Sequence, residues 1–426
     1  MTTPIAVGLS TLRRWAENTS ILKPRDQEDR NARLLYLNTA LVGVEAGGIM
    51  AFLAVFLARL GATPTLVGWL TSAPALLAIL LLIPGAMVAE RYTDQVRVRN
   101  TYVAWVRLGF ALCALAPSIV PREHLPMALV LIWTLKTLPD VVAIPSWTAV
   151  MARAISPRRR AQINGTRWAL LSLVSAASSA GFGWLLDQIA FPLNYQIVFF
   201  ISFALSSLDI VFFARIKVAP LERLARGQAR TVWGRFADYL RPVAHYRPFV
   251  AFLAATILYR VALNLPAPLF SLFWVNELRA PDTLIGLRGT VGHGALVAGY
   301  IIWGRLAGRL GHRRVLTWSA LGLGLYPILT ALSPSAPWLL PVAAVWGITA
   351  AGVDIGLFDL MLAACPEHRQ PLFAAVWSMA ANAAVFAGPL LGAALSNATT
   401  IATALIIAGI AQWVMTLPFS TLPRDV

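Results

Sequence analysis

Apolar blocks of about 20 to 28 residues recur twelve times along the chain, each long enough for a helix to cross a hydrocarbon layer of roughly 30 Å with some tilt. They predict helices over residues 34–60, 64–89, 100–120, 125–151, 163–186, 192–214, 248–275, 283–304, 315–333, 337–364, 371–395 and 398–420. The polar gaps between them alternate in charge. The N-terminal segment, the even-numbered loops and the C-terminal tail hold nearly all of the loop Lys and Arg, whereas the opposite loops hold only Arg59, Arg122 and Arg279. Cytoplasmic loops retain positive charge, so both termini are expected in the cytoplasm. The five remaining bases, Arg107, Lys136, Arg167, Arg260 and Arg288, fall inside predicted helices.

This pattern predicts an all-α polytopic membrane protein with twelve transmembrane helices in two pseudo-symmetric six-helix halves. The divisions are a cytoplasmic segment 1–33, a first half 34–214, a cytoplasmic central loop 215–247, a second half 248–420 and a tail 421–426. In the central loop Trp233, Phe236, Ala237 and Leu240 follow helical spacing beside arginines, as in a helix lying at the membrane surface. Ile5, Leu9, Leu12 and Ala16 form a similar stripe near the N-terminus. The halves echo each other after their fourth helices: Pro157, Arg160 and Trp168 recur as Pro366, Arg369 and Trp377 at one constant offset. Repeats of this kind build transporters whose halves rock about a central site.

Composition sharpens the class. With 58% hydrophobic and 13% charged residues, a soluble form of this chain would expose very large apolar patches. The net charge of +16 is read as loop anchors facing anionic lipid, with no nucleic-acid partner. The two cysteines, Cys113 and Cys365, make neither a disulfide framework nor a metal site, and no cofactor or metal is expected. Residues 1–33 hold no signal-peptide pattern, which leaves targeting to the first membrane helix.

Charges deep in a membrane are costly and mark cavities or partners. Glu45, Lys136, Asp140, Arg260 and Asp354 lie deepest, and all sit on helices one, four, seven and ten. Asn38 shares a face with Glu45, Asn264 with Arg260, and Lys136 with Asp140. The last two also read as a structural intrahelical pair. Arg107 is shallower and, with Asn38 and Asn382, ranks second. Arg167, Asp209, Arg288 and Asp359 fall within two turns of an interface, where snorkelling or loop pairing is expected. His293, between glycines, reads as a packing residue. Pro139, Pro145, Pro266 and Pro268 break helices four and seven.

One run, Gly304-Arg305-Leu306-Ala307-Gly308-Arg309-Leu310-Gly311-His312-Arg313-Arg314, resembles the loop signature of the major facilitator superfamily, with Gly308 at the motif's acidic position. Its glycines are expected to allow close helix approach and a tight turn. The first-half counterpart keeps Glu90 and Arg91 but lacks the glycines. In helix four, Ile132, Lys136, Pro139 and Asp140 weakly match a motif of proton-coupled members, and Gly388-Pro389 with Gly392 stands in helix eleven. The resemblance implies a central cavity lined by helices one, four, seven and ten. It implies a monomeric secondary active transporter of a small organic solute, proton-coupled, in contact with membrane lipids and placed in a bacterial inner membrane. Three acids against two bases in the deep set fit a zwitterion, a cation or a neutral solute better than a dianion. Glu45 is the leading candidate for a proton carrier if no cation pairs with it, and for a gate or ligand if one does. An uncoupled facilitator on the same fold and a transporter-like assembly factor or lipid flippase are the alternatives. No arrangement of nucleophile and base suggests an enzyme.

Overall fold

The computed structural model describes residues 24–219, 246–365 and 370–421. The two amphipathic segments expected near the N-terminus and in the central loop, and Pro366 to Arg369, lie outside them. Twelve helical rods run through the described residues: α1 Gln27–Arg59, α2 Pro64–Glu90, α3 Gln95–Ile119, α4 Leu125–Ala154, α5 Pro157–Gln188, α6 Leu193–Phe213, α7 Arg247–Glu277, α8 Asp282–Leu310, α9 His312–Ala331, α10 Leu339–Ala364, α11 Gln370–Ala398 and α12 Ile401–Thr421. Ten contain stretches long and apolar enough to span a membrane; α8 and α9 are of spanning length but more polar.

Several cytoplasmic starts come earlier than the apolar blocks suggested, because caps rather than hydropathy set them. The Asp26 carboxylate accepts from Asp29 N–H at 2.7 Å and starts α1, and Asp94 accepts from Arg97 N–H at 3.0 Å and starts α3. Ser156 followed by Pro157 starts α5. Helix α8 likewise runs on to Leu310, so Gly304, Arg305 and Arg309 belong to its last turns, and the chain turns only at Gly311, whose φ is 82°. Gly304 and Gly308 have open space where a Cβ would stand, so the expected close helix approach through them is absent in this conformation.

Helix α1 packs on α5 and α6, α3 on α4 and α6, and α2 on α4. Adding six to each number gives the second set: α7 on α11 and α12, α9 on α10 and α12, and α8 on α10. The two sets meet chiefly through α5 with α8 and α2 with α11, two contacts that a twofold rotation exchanges. Large apolar side chains line the outside, as on α3, where Trp105, Leu108, Leu112, Leu115 and Ile119 form one exposed stripe suited to lipid.

The cores are arranged unequally across the membrane. On the non-cytoplasmic side one cluster joins both sets, including Ile49, Phe56, Phe110 and Phe199 with Leu269, Leu272, Trp274 and Leu405. On the cytoplasmic side Leu35, Tyr36, Met151 and Phe213 form one cluster, and Phe249, Phe252, Leu316 and Phe373 a separate one. The two sets therefore share a core at the end away from the termini and keep separate cores at the end that carries them, the end expected in the cytoplasm.

Candidate functional site

Helix α1 breaks beside its buried acid. Residues Ala46–Met50 form a π turn in which Gly48 takes φ −102° and ψ −107°, and a Cβ there would collide with Ser202 Oγ. The backbone N–H of Ile49 donates to Ser202 Oγ at 3.3 Å, while that hydroxyl donates to Val198 O at 2.8 Å. A π turn of this kind relaxes the helix and re-aims a side chain. Glu45, immediately before it, is 5% exposed and accepts from Arg107 Nη1 on α3.

Arg107 does not serve Glu45 alone. Its Nη2 donates to Asp209 Oδ2 on α6 at 2.8 Å, and Arg99 Nη2 donates to the same oxygen at 2.9 Å. Two guanidiniums and two carboxylates thus close a neutral network between α1, α3 and α6, with Arg99 also lying over the Phe213 ring at 4.2 Å. This corrects the reading of Asp209 as a snorkelling or loop-paired residue: it is fully buried and holds two arginines. Arg99, read as a loop residue, lies inside α3. On the alternatives left open for Glu45, the geometry gives it a cation, Arg107, which had ranked second.

Lys136 sits where α4 breaks, between Leu125–Leu135 and Thr137–Ala154. Its Nζ donates to Asp140 Oδ2 at 3.0 Å and lies 4.5 Å from the Trp133 ring centre. The carboxylate of Asp140 is the more exposed of the two, at 27% against 9%. Arg167, expected near an interface, lies three turns into α5 because that helix begins at Pro157. Its Nε donates to Thr39 Oγ1 at 2.9 Å and its Nη1 to Asn164 Oδ1 at 3.0 Å, and it covers the Trp147 ring at 4.7 Å.

A cavity of about 450 Å³ gathers Asn38, Glu45, Arg107, Lys136, Asp140 and Arg167, with Trp147 and Trp168 on its wall. All of its lining comes from α1, α3, α4 and α5. The sites expected in the second set stand apart from it. Arg260 stacks on Trp377 at 4.5 Å, and its backbone carbonyl accepts from Asn264 Nδ2 at 2.7 Å. Asp354 is exposed and accepts from Tyr300 Oη at 2.9 Å. Asn382 Nδ2 donates to Ser378 O at 3.0 Å within its own helix. Arg288 donates to Tyr326 Oη and covers Trp274 at 4.2 Å, and Asp359 pairs with His312 at 2.8 Å.

Across the seam on the closed side, Arg59 Nη2 donates to Ala280 O at 2.7 Å and to Asp282 Oδ1 at 3.0 Å, and Tyr195 Oη donates to the same carboxylate at 2.9 Å. Deeper, Ser179 Oγ donates to Gly286 O at 3.0 Å, Thr290 Oγ1 to Ala176 O at 2.7 Å, and Ser175 meets His293 at 3.3 Å. His293 is thus a contact between α5 and α8. A Cβ on Gly183 would stand 2.6 Å from Asp282 O and 3.0 Å from Gly286 Cα, so these glycines set the approach of the two helices. Among the described residues no group of His, Cys, Asp and Glu is placed to hold a metal.

Residues 249–425 match the sequence family described as Major Facilitator Superfamily. Comparison with curated protein sequences gives no match. Among solved structures the chain resembles a variant of the nucleoside transporter NupG, with a TM-score of 0.69 at 13% identity over 93% of this chain and 100% of that one. It also resembles the inward-facing, unoccupied bacterial homologue of the human lysosomal transporter Spinster (0.68, 14%, 93% and 95%) and an inward-facing bacterial homologue of the iron transporter ferroportin (0.66, 15%, 92% and 99%). With the family's sequence pattern in its second half and the fold of these transporters over nearly its whole length, the chain is a multi-pass membrane protein of the major facilitator superfamily fold.

Proposed function

We propose that this protein is a secondary active transporter that carries a small organic solute across the cytoplasmic membrane of a bacterium by alternating access, with proton coupling. The observation that carries the reading is the placing of one shared apolar core on the closed side and two separate cores on the cytoplasmic side, with a charged cavity in the first half. A rocking motion that transfers the contact from one side to the other needs no unfolding of either half.

Proton coupling rests on Asp140. Glu45 and Asp209 are held by the two arginines of α3, whereas Asp140 has one partner and the greater exposure to the cavity. Protonating Asp140 frees Lys136 at the break in α4, and so ties a proton to a helix that lines the site. Because every carboxylate lining the cavity has a basic partner, an uncoupled facilitator is the second reading.

The test is proton uptake or release by the purified protein in weakly buffered detergent as sugars, amino acids, organic acids and organic cations are added in turn, with Asp140→Asn beside the wild type. A ligand-linked proton signal lost in the variant is the expected result. Binding without a proton signal leaves the facilitator, and binding of nothing in the panel overturns transport of a small solute.

A further inference from the structure

We propose that the cavity is an organic-anion site in which Arg167 takes a carboxylate head. The inference deepens the transport reading and rests on it for its physiological meaning. Four bases stand in or on the cavity, Arg99, Arg107, Lys136 and Arg167, against three acids, Glu45, Asp140 and Asp209. The acids are spent: Glu45 on Arg107, Asp209 on Arg99 and Arg107, and Asp140 on Lys136. Arg167 is left with no carboxylate among the described residues. Counting deep charges along the sequence gave an acidic excess, because it ran over both halves and left out Arg99, Arg107 and Arg167 of this cavity.

The partners Arg167 does have orient it without neutralising it. The Thr39 hydroxyl gives its proton to Leu35 O at 2.8 Å and accepts from Nε, while Asn164 Oδ1 accepts from Nη1. Nη2 has no protein acceptor among the described residues. One residue from Thr39, Asn38 is 2% exposed and its Nδ2 has no hydrogen-bond partner, although it borders the same cavity. The buried amide donor of Asn38 is costly unless something supplies an acceptor, and the charge of Arg167 has two neutral acceptors but no anion. A carboxylate has two oxygens, which allows it to accept from both groups at once.

The remainder of the wall selects the body of the anion. Val42, Val103, Ile144 and Leu171 are apolar, and Trp147, under the Arg167 guanidinium, and Trp168 add aromatic surface. The volume lies within the roughly 300–1,000 Å³ usual for small-molecule sites. One free guanidinium suits a monoanion with an apolar or aromatic body, not a dianion and not a cation.

The experiment is equilibrium binding to the purified full-length protein in detergent at pH 7, with benzoate, benzyl alcohol and benzylammonium as size-matched anion, neutral and cation. Benzoate is expected to bind and the other two to bind at least about tenfold more weakly, the scale of a lost hydrogen bond to a charged group. Arg167→Gln is expected to remove that preference, and Arg167→Lys to retain part of it. Benzylammonium binding as well as benzoate, binding by none of the three, or a benzoate affinity unmoved in folded Arg167→Gln would overturn the anion site. The wild-type comparison alone decides the matter if the variant does not fold. Parallel flux in proteoliposomes separates the two readings. Benzoate bound but never moved overturns transport and leaves the anion site, whereas benzylammonium moved with benzoate ignored does the reverse.

Discussion

Asp187 in the first half caps the first turn of α8 in the second: its carboxylate accepts from the backbone N–H of Asp282 at 3.0 Å and of Thr283 at 2.8 Å. A carboxylate at a helix N-terminus satisfies orphan donors and meets the positive end of the helix dipole. The Asp282 side chain in turn binds Arg59 and Tyr195 of the first half, so one turn of α8 is held from two directions.

That latch predicts a shift in conformational balance. Asp282→Asn is expected to weaken the closed side and move the population toward the outward-open form by about tenfold, the scale of one hydrogen bond to a charged group. Spin labels placed in the loops between α3 and α4 and between α9 and α10 would report longer separations. The native Cys113 and Cys365 are buried and do not compete for label. Unchanged distances would show that apolar packing alone holds the seam.

The neutral network in α1, α3 and α6 predicts an asymmetry between its acids. Removing one partner of a buried ion pair costs about 3–5 kcal/mol because it strands the other. Asp209→Asn weakens the anchor of two arginines, whereas Glu45→Gln leaves Arg107 with Asp209. Thermal unfolding in detergent should therefore show a markedly larger loss for Asp209→Asn. Arg99→Gln added to it should recover part of the stability, because one stranded charge is gone. Equal losses for the two single variants would contradict the geometry.

Much of this architecture is legible in the sequence because a bilayer imposes two plain demands, length of apolar helix and retention of positive charge on one side. Those demands anticipate an all-α membrane fold built from twelve helices. They do not locate helix starts. Arg99 lies in a capped helical turn too polar to register as apolar block, and Arg167 was counted from a helix start at 163 where the helix begins at Pro157, so the depth of each along its helix was underestimated. Asp209 stands near the cytoplasmic end of an apolar run, and only the opposing arginines of α3, two turns apart on one face, reveal why it is tolerated there. The loop signature from Gly304 to Arg314 was visible as sequence. The role of Gly304 and Gly308 was not, since helix approach depends on which side of the molecule is closed.

Glycines at the two ends of α8 are expected to respond in opposite ways. At Gly286 a Cβ would run into the Ser179 carbonyl, so Gly286→Val should part α5 from α8 and destabilise this conformation. At Gly308 there is open space, and Gly308→Ala should stabilise the helix by about 0.5–1 kcal/mol through propensity alone. Melting temperatures of the two variants would check the signs. A destabilising Gly308→Ala would mean that the cytoplasmic ends approach each other more closely than they do here.

Arg260 offers the cleanest separation of binding from folding. Its guanidinium lies on Trp377, its Nε has no hydrogen-bond partner, and among the described residues no carboxylate lies in ion-pair contact with it. Arg260→Ala therefore breaks no contact ion pair; it loses the stack, worth about 0.5–2 kcal/mol, and a through-space attraction to Asp354, which keeps its bond from Tyr300. Arg107→Ala strands Glu45 and half-strands Asp209, so it should cost several times more. If Arg260 reaches solute when the second half closes on the cavity, its alanine variant will fold and insert normally yet transport poorly, with most of the deficit in turnover rather than in equilibrium binding to the cytoplasm-facing form. Full transport by a well-folded Arg260→Ala would place the residue outside the path, and a loss of stability matching Arg107→Ala would assign it a structural role.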